Sequence, residues 1–272
     1  MTIAEHQQHE DLDRANAHQK ITYGPSIRYV VSEMARGRRD TVNHEEILWL
    51  LNQLFDKEDI DRMHRIVDKR KTLLRDEIFR NDPIAALYPQ RDEILPLDSK
   101  IGGKGIDDLV FGKGQPLMGN YGGDRNTRIY RPLSYAILRV IFSHPTDPRG
   151  SIGMSCEHIE NVLKDRLGNL DSEFLRDLEE EELIGRDLGI KDSRSMGILV
   201  NEVERRRVLD VRLIAQLRKI NRIFRIAKHE YGQDSVKITD VQTVAESRVF
   251  NDFEAVSMYF VCRKIGALLL GE

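Results

Sequence analysis

The sequence predicts a mainly α protein with no more than a minor β-hairpin. Three observations lead there. Apolar residues recur three and four apart through most of the chain, the period of a helix with one buried face. Helix start and stop signals bracket those runs. Charged residues make up 32% of the chain against 40% hydrophobic, a balance that suits long solvated helix faces rather than disorder.

A length of 272 residues is enough to bury a sizeable core. The net charge of −3 names no partner; how charge is distributed along the chain matters more. The two cysteines, Cys156 and Cys262, lie in no pairing or ligand motif. That argues against a disulfide scaffold or a zinc site and for a reducing compartment. The first residues, M-T-I-A-E-H-Q-Q-H-E, lack the basic and apolar regions of a signal peptide. The most apolar stretch, Ala255 to Leu270, is shorter than a bilayer span and carries Arg263 and Lys264. The expected location is cytoplasmic.

Residues 1–20 read as a polar tail, in which His6, His9 and His18 match no metal-ligand spacing. Pro25 suits the first turn of a helix that Gly37 would end. Asn43 and Glu46 resemble a capping box, followed by Ile47, Leu50, Leu51, Leu54 and Phe55 on one face. A further helix starts near Asp56 and turns Ile60, Met63, Val67, Leu74 and Ile78 inward. Its acids (Glu58, Asp59, Asp61) come first and its bases (Lys69, Arg70, Lys71) later, as the helix dipole favours. Asn81-Asp82-Pro83 stops it. Residues 21–82 therefore form a helical unit. From 83 to 128 the period is lost, and eight of the chain's 19 glycines fall between Gly102 and Gly123. This segment reads as an exposed, glycine-hinged connector and the best place for a domain boundary.

Past the connector, Leu133, Ala136, Ile137, Val140 and Ile141 form one helical face that closes near Pro145 and Pro148. Ser155 caps a second helix bearing Ile159, Val162, Leu163 and Leu167, with Gly168 at its end. A third begins near Asp171 or Ser172, exposes Phe174, Leu175 and Leu178 on one side, and runs into Leu183-Ile184-Gly185-Arg186. A polar turn through Gly189 and Lys191-Asp192-Ser193 leads to an apolar run, Met196 to Val200, read as a strand.

Three helices, a strand, a turn and a strand is the order of the winged helix-turn-helix, and residues 131–203 resemble that superfamily. The third-helix leucines leading into Leu183-Ile184 are similar to those of PadR- and MarR-type regulators. The resemblance implies a third helix that enters the DNA major groove and a wing that carries Lys191 and Arg194. The sequence departs from it in two ways. Glu182 stands where those regulators have a glycine. The third helix also bears Asp171, Glu173, Asp177, Glu179, Glu180, Glu181, Glu182 and Asp187 against only Arg176 and Arg186. Phosphate repels such a helix, so Glu173, Asp177, Glu180 and Glu181 are candidate contacts for a basic protein partner.

The charge then reverses. From Glu204 to Glu230 stand Arg205, Arg206, Arg207, Arg212, Arg218, Lys219, Arg222, Arg225 and Lys228, opposed by Glu204, Asp210 and Glu230. Leu213, Leu217, Ile220, Phe224 and Ala227 give an apolar seam, with Arg218, Arg222 and Arg225 on a neighbouring stripe. One helix over this stretch would run roughly 40 Å. It is long enough for a homodimer seam or a brace between domains, and it presents arginines to phosphates in a row. A basic helix beside an acidic one also serves simply to neutralise it. Val236 to Val241 alternates like a strand. A last helix contains Phe250, Phe253, Val256, Phe260 and Ile265, with Tyr259 and Cys262 in its most apolar part. Cys262 reads as a small buried hydrophobe.

Enzyme signals are weak. Gly102-Gly103-Lys104-Gly105 and Gly112-Lys113-Gly114 lack the spacing of a phosphate loop. Asp107, Asp108 and Asp124 have no supporting metal-ligand pattern, and Cys156 and His158 point to different faces of one helix. The sequence thus names no catalytic residue, metal or cofactor. The expected organisation is a tail (1–20), a helical unit (21–82), a connector (83–128), a winged helix-like domain (129–203), and a long basic helix with a terminal helix (204–272). The leading reading is a non-enzymatic nucleic-acid-associated protein, a DNA-binding regulator or a replication or partition factor. Its phosphate contacts are Lys191, Arg194, Arg205, Arg206, Arg212, Arg218, Lys219, Arg222, Arg225 and Lys228. The alternatives are an adaptor that shows its acidic helix to a basic partner, and an enzyme with a site in the glycine-rich loop. A continuous basic surface would favour the first, and interleaved acid and base the adaptor.

Overall fold

The computed structural model describes residues 39–73, 87–112, 119–141, 146–187, 195–229 and 250–272. Those residues form nine α-helices: α1 (Arg39–Leu54), α2 (Lys57–Leu73), α3 (Leu87–Ile101), α4 (Asp124–Ile141), α5 (Pro148–Leu170), α6 (Ser172–Asp187), α7 (Ser195–Arg205), α8 (Val211–His229) and α9 (Asp252–Leu270). A single π-helical turn, Asp107–Phe111, lies between α3 and α4. The mainly α expectation holds, and no strand occurs among the described residues. None of these helices is long and apolar enough to cross a membrane.

The centre is built by α9 and α5. A helix that is apolar all round has no solvated face and must be enclosed. α9 is such a helix: Phe253, Val256, Tyr259, Phe260, Cys262, Ile265 and Leu269 are all buried. It packs against α1, α2, α3, α4 and α5. α5 in turn carries α4, α6, α7 and α8. Asn251 and Glu254 close a reciprocal capping box at the start of α9, and Gly271 ends it in the left-handed conformation. Buried side chains from Ile47 to Leu269 belong to one continuous core.

Several sequence expectations are met. Leu133, Ala136, Ile137, Val140 and Ile141 are buried on α4. Ile159, Val162, Leu163 and Leu167 are buried on α5. The seam Leu213, Leu217, Ile220, Phe224 and Ala227 faces inward on α8. Asp56 accepts from the Asp59 amide at 2.9 Å at the start of α2, and Asp171 accepts from Phe174 at 2.9 Å at the start of α6.

Other expectations are corrected. Asn43 does not begin a helix, since α1 already runs from Arg39. Ser155 lies inside α5, which starts seven residues earlier at Pro148 with Asp147 as its cap. Its hydroxyl bonds back to the Ser151 carbonyl at 2.9 Å. Both wing strands are helical: α6 carries on through Leu183, Ile184 and Arg186 to Asp187, and Met196 to Val200 lies in α7. The reason is visible in α7, where Met196, Leu199, Val200 and Val203 are all buried. They follow a helical period that begins inside the apolar run and outlasts it. The single basic helix is also divided. Arg207 adopts a positive φ of 55°, and the Asp210 carboxylate accepts from the amides of Arg212 and Leu213 at 2.8 and 3.0 Å. This starts α8 afresh. The helix has 19 residues, hence about 28 Å rather than 40 Å.

The described residues of the connector, 87–112 and 119–128, pack more closely than its composition suggests. Ile94, Leu97 and Ile101 of α3, Ile106 before the π-helical turn, and Leu109 and Val110 within it are in the core. Gly102 and Gly103 take φ of 82° and 64°, a conformation that other residues adopt only with strain. They reverse the chain so that it can pack back on α9. Residues 21–38, the Val236–Val241 strand and the 188–194 turn lie outside the described residues.

Candidate nucleic-acid interface

The outward surface of α8 follows directly from its seam. With Leu213, Ile214, Leu217, Ile220, Phe224 and Ala227 buried against α5, α7 and α1, the opposite face must meet solvent. Val211, Arg212, Ala215, Arg218, Arg222 and Arg225 are exposed. From 215 to 225 the spacing is three, four, three, so these positions form one stripe. No acid lies between Val211 and His229.

Acids from other elements flank the stripe. Arg218 reaches Glu204, in the last turn of α7, at 2.5 Å. Arg222 pairs with Glu46 of α1. The two pairs differ in kind. Glu204 is itself open to solvent, whereas the Glu46 side chain is only 8% exposed and its second oxygen has no hydrogen-bond partner. Lys219 lies 4.8 Å over the ring of Trp49, a cation–π contact that fixes α8 on α1. Arg212 and Arg225 have no acid partner among the described residues.

Arg205 and Arg206 are separated from this stripe by the turn. Both bond to Glu202, at 2.5 Å each, and Arg206 also reaches Asp171 at 2.7 Å. The two guanidiniums hold the Glu202 carboxyl down to about 2, chiefly through the bond from Arg205. Asp171 is lowered first by the Phe174 amide and then by Arg206. Arg206 also covers the Phe174 ring at 5.5 Å. It is a clamp between α6 and α7 rather than a free cation.

Of the ten proposed phosphate contacts, Lys191 and Arg194 lie outside the described residues, as does the side chain of Lys228. Arg212, Arg218, Arg222 and Arg225 are brought together; Arg205, Arg206 and Lys219 are otherwise engaged. On α6, Glu173, Asp177 and Glu180 are exposed around Arg176, which approaches them at 3.7, 3.7 and 4.0 Å. The side chain of Glu181 is outside the described residues. The sequence reading missed Glu46 and Trp49, which meet α8 across about 170 positions and leave no local signal.

No group of three or more potential metal ligands occurs among the described residues. Cys156 and Cys262 are both buried free thiols, and desolvation raises the Cys262 thiol well above its ordinary value, which makes it unreactive. No protein-family model, no curated protein and no solved structure matches this chain.

Proposed function

We propose that this chain binds nucleic acid, contacting phosphates through the outward stripe of α8, in the manner of a regulator or a replication or partition factor. The observation that carries the reading is the acid-free solvent face of α8 with Arg212, Arg218, Arg222 and Arg225 exposed along it. The flanking acids do not remove these donors. A guanidinium has five N–H groups and an ion pair engages one or two. An exposed pair such as Arg218 with Glu204 contributes less than about 1 kcal/mol, so a phosphate competes with it readily. The acids do hold the arginine heads in place, which lowers the entropy lost on binding.

The test is anisotropy titration of duplex and single-stranded oligonucleotides at two salt concentrations. Combining Arg212→Ala, Arg218→Ala and Arg225→Ala should weaken binding without sequence preference. It should lower the slope of log affinity against log salt by roughly 0.9 for each duplex phosphate no longer neutralised. Arg222 is left in place because Glu46 depends on it. An absence of binding to either polymer at low salt would reject the reading.

The adaptor reading is second. It is favoured by the exposed acids of α6 and by the interleaving of acid and base where Arg218 and Arg222 meet Glu204 and Glu46. It expects partner binding that Glu173→Lys with Asp177→Lys abolishes.

A further inference from the structure

A second surface, between α4 and α5, combines features that α8 lacks. Four of the exposed side chains on α4, Asp124, Arg128, Arg131 and Tyr135, are spaced four, three, four and thus lie on one stripe. α5 runs antiparallel beside it. Asn161 donates to the Arg128 carbonyl at 2.9 Å, and Arg125 is bonded twice to Asp165 at 2.6 and 2.5 Å. The helices are therefore fixed relative to each other, with an open groove of about 440 Å³ between them. That volume lies within the roughly 300–1,000 Å³ of small-molecule sites.

The groove has an apolar base and a charged edge. Pro132 and Met154 line it together with Tyr135, a large aromatic that is 50% exposed. Arg128 and Arg131 line it too, and neither has an acid partner among the described residues. Two carboxylates, Asp124 and Glu157, and the side chains of Thr127 and Asn161 complete the polar lining. A bare polyanion would gain little from such mixed charge. A group with a flat apolar face, an anionic end and N–H or O–H donors matches every part of it.

We infer that this groove takes one unpaired nucleotide, with its base against Tyr135 and its phosphate on Arg128 and Arg131. The inference rests on the nucleic-acid reading above and makes it more specific. A paired base keeps both faces inside the duplex stack, so an aromatic platform of this kind can act only on a single strand or on a melted or looped base. Asp124 accepts from an amino group of the base or from a sugar hydroxyl. A free nucleotide offers the same chemistry, and the experiment separates the two sources.

The experiment uses the full chain with three probes. These are a labelled oligodeoxyadenylate of about 12 nucleotides, within the roughly 4–16 that single-strand sites span, a duplex of equal length, and adenosine monophosphate. Tyr135→Ala should weaken single-strand binding about 5- to 150-fold, the range for removing one base stack, and leave duplex binding unchanged. Tyr135→Phe should keep it, because the ring remains. Arg131→Ala should lower the single-strand salt slope by about 0.7. If Tyr135→Ala binds the single strand like the parent while the α8 triple variant still weakens duplex binding, the groove assignment is overturned and the α8 reading stands. If neither polymer binds but adenosine monophosphate does, and does so through Tyr135, the strand is overturned as occupant and the α8 reading falls, while the groove remains a nucleotide site. Failure of all three probes overturns both.

Discussion

Asp98 of α3 holds Arg263 of α9 with one carboxylate oxygen and the backbone amide of Ile106 with the other, the latter at 2.5 Å. Arg263 also donates to the Lys104 carbonyl at 2.8 Å. One carboxylate thus fastens the glycine-rich turn to the central helix. Both side chains are nearly inaccessible, Arg263 at 2% and Asp98 at 8% exposed. Removing one partner of such a pair strands a charge in the core. Asp98→Ala should therefore destabilise the protein by about 3–5 kcal/mol in urea or thermal unfolding. Asp98→Leu combined with Arg263→Met should recover part of that stability. A double variant no more stable than Asp98→Ala would show that the carboxylate acts chiefly through the Ile106 amide.

His158 predicts how stability responds to acid. It is buried on α5, with Nδ1 against the Ile129 carbonyl at 2.8 Å, Nε2 without a partner, and the Tyr130 ring 5.6 Å away. Burial, aided by the charge of Arg263 and opposed by the Ile129 carbonyl, pushes its pKa down to about 4 from an ordinary 6.5. The folded form therefore binds its proton more weakly than the unfolded form. The stability this neutral ring provides is complete above pH 6.5 and is lost as pH falls towards 4. Over that window the decrease should reach about 3 kcal/mol. Urea midpoints at about pH 7.5, 5.5 and 4.5 test this, and His158→Gln should flatten the profile between the first two.

Arg218 and Arg222 look equivalent on the α8 stripe but should behave differently. Arg218→Ala removes an exposed pair and should change stability by no more than about 0.5 kcal/mol. Arg222→Ala leaves the enclosed Glu46 carboxylate, whose other oxygen is already unpartnered, without its cation. The cost should be about 1–3 kcal/mol, and Glu46→Gln should relieve much of it. Thermal melts of the parent, the two single variants and the Arg222→Ala, Glu46→Gln double variant settle the point. Equal effects at 218 and 222 would mean that Glu46 finds another donor.

How far the sequence could be read depended on whether a signal was local. The apolar face of α4 and the seam on α8 repeat within one element, so the burial of Ile137 or Leu217 was legible from spacing. α3 was not, because Pro89 and Pro96 look like breakers; yet Pro96 sits inside the helix while Ile94, Leu97 and Ile101 keep the period. Met196 to Val200 is short and apolar, and such a run fits a buried strand as well as a helix. Only Val203, three positions beyond, reveals the helical period. At the candidate interface, the arginines were visible and their partners were not. Glu46 lies 176 positions from Arg222, and no pattern within α8 points to it.

The position of the central helix in the sequence also sets a timetable. α9 supplies the surface on which α1, α2, α3, α4 and α5 close, and it is the last of the described helices to be made. Lys264 bonds to the Leu54 carbonyl across 210 positions. At roughly 5–20 residues per second of synthesis, α1 and α2 leave the ribosome about 10–40 s before the helix they enclose. During that interval the apolar faces of Ile47, Leu50, Met63 and Ile66 lack the cover that α9 supplies. Contacts this distant also slow folding relative to bundles of sequential neighbours. The nascent chain is thus at greatest risk of aggregation in the interval before residue 252 is added, a vulnerability of its birth that the finished core does not share.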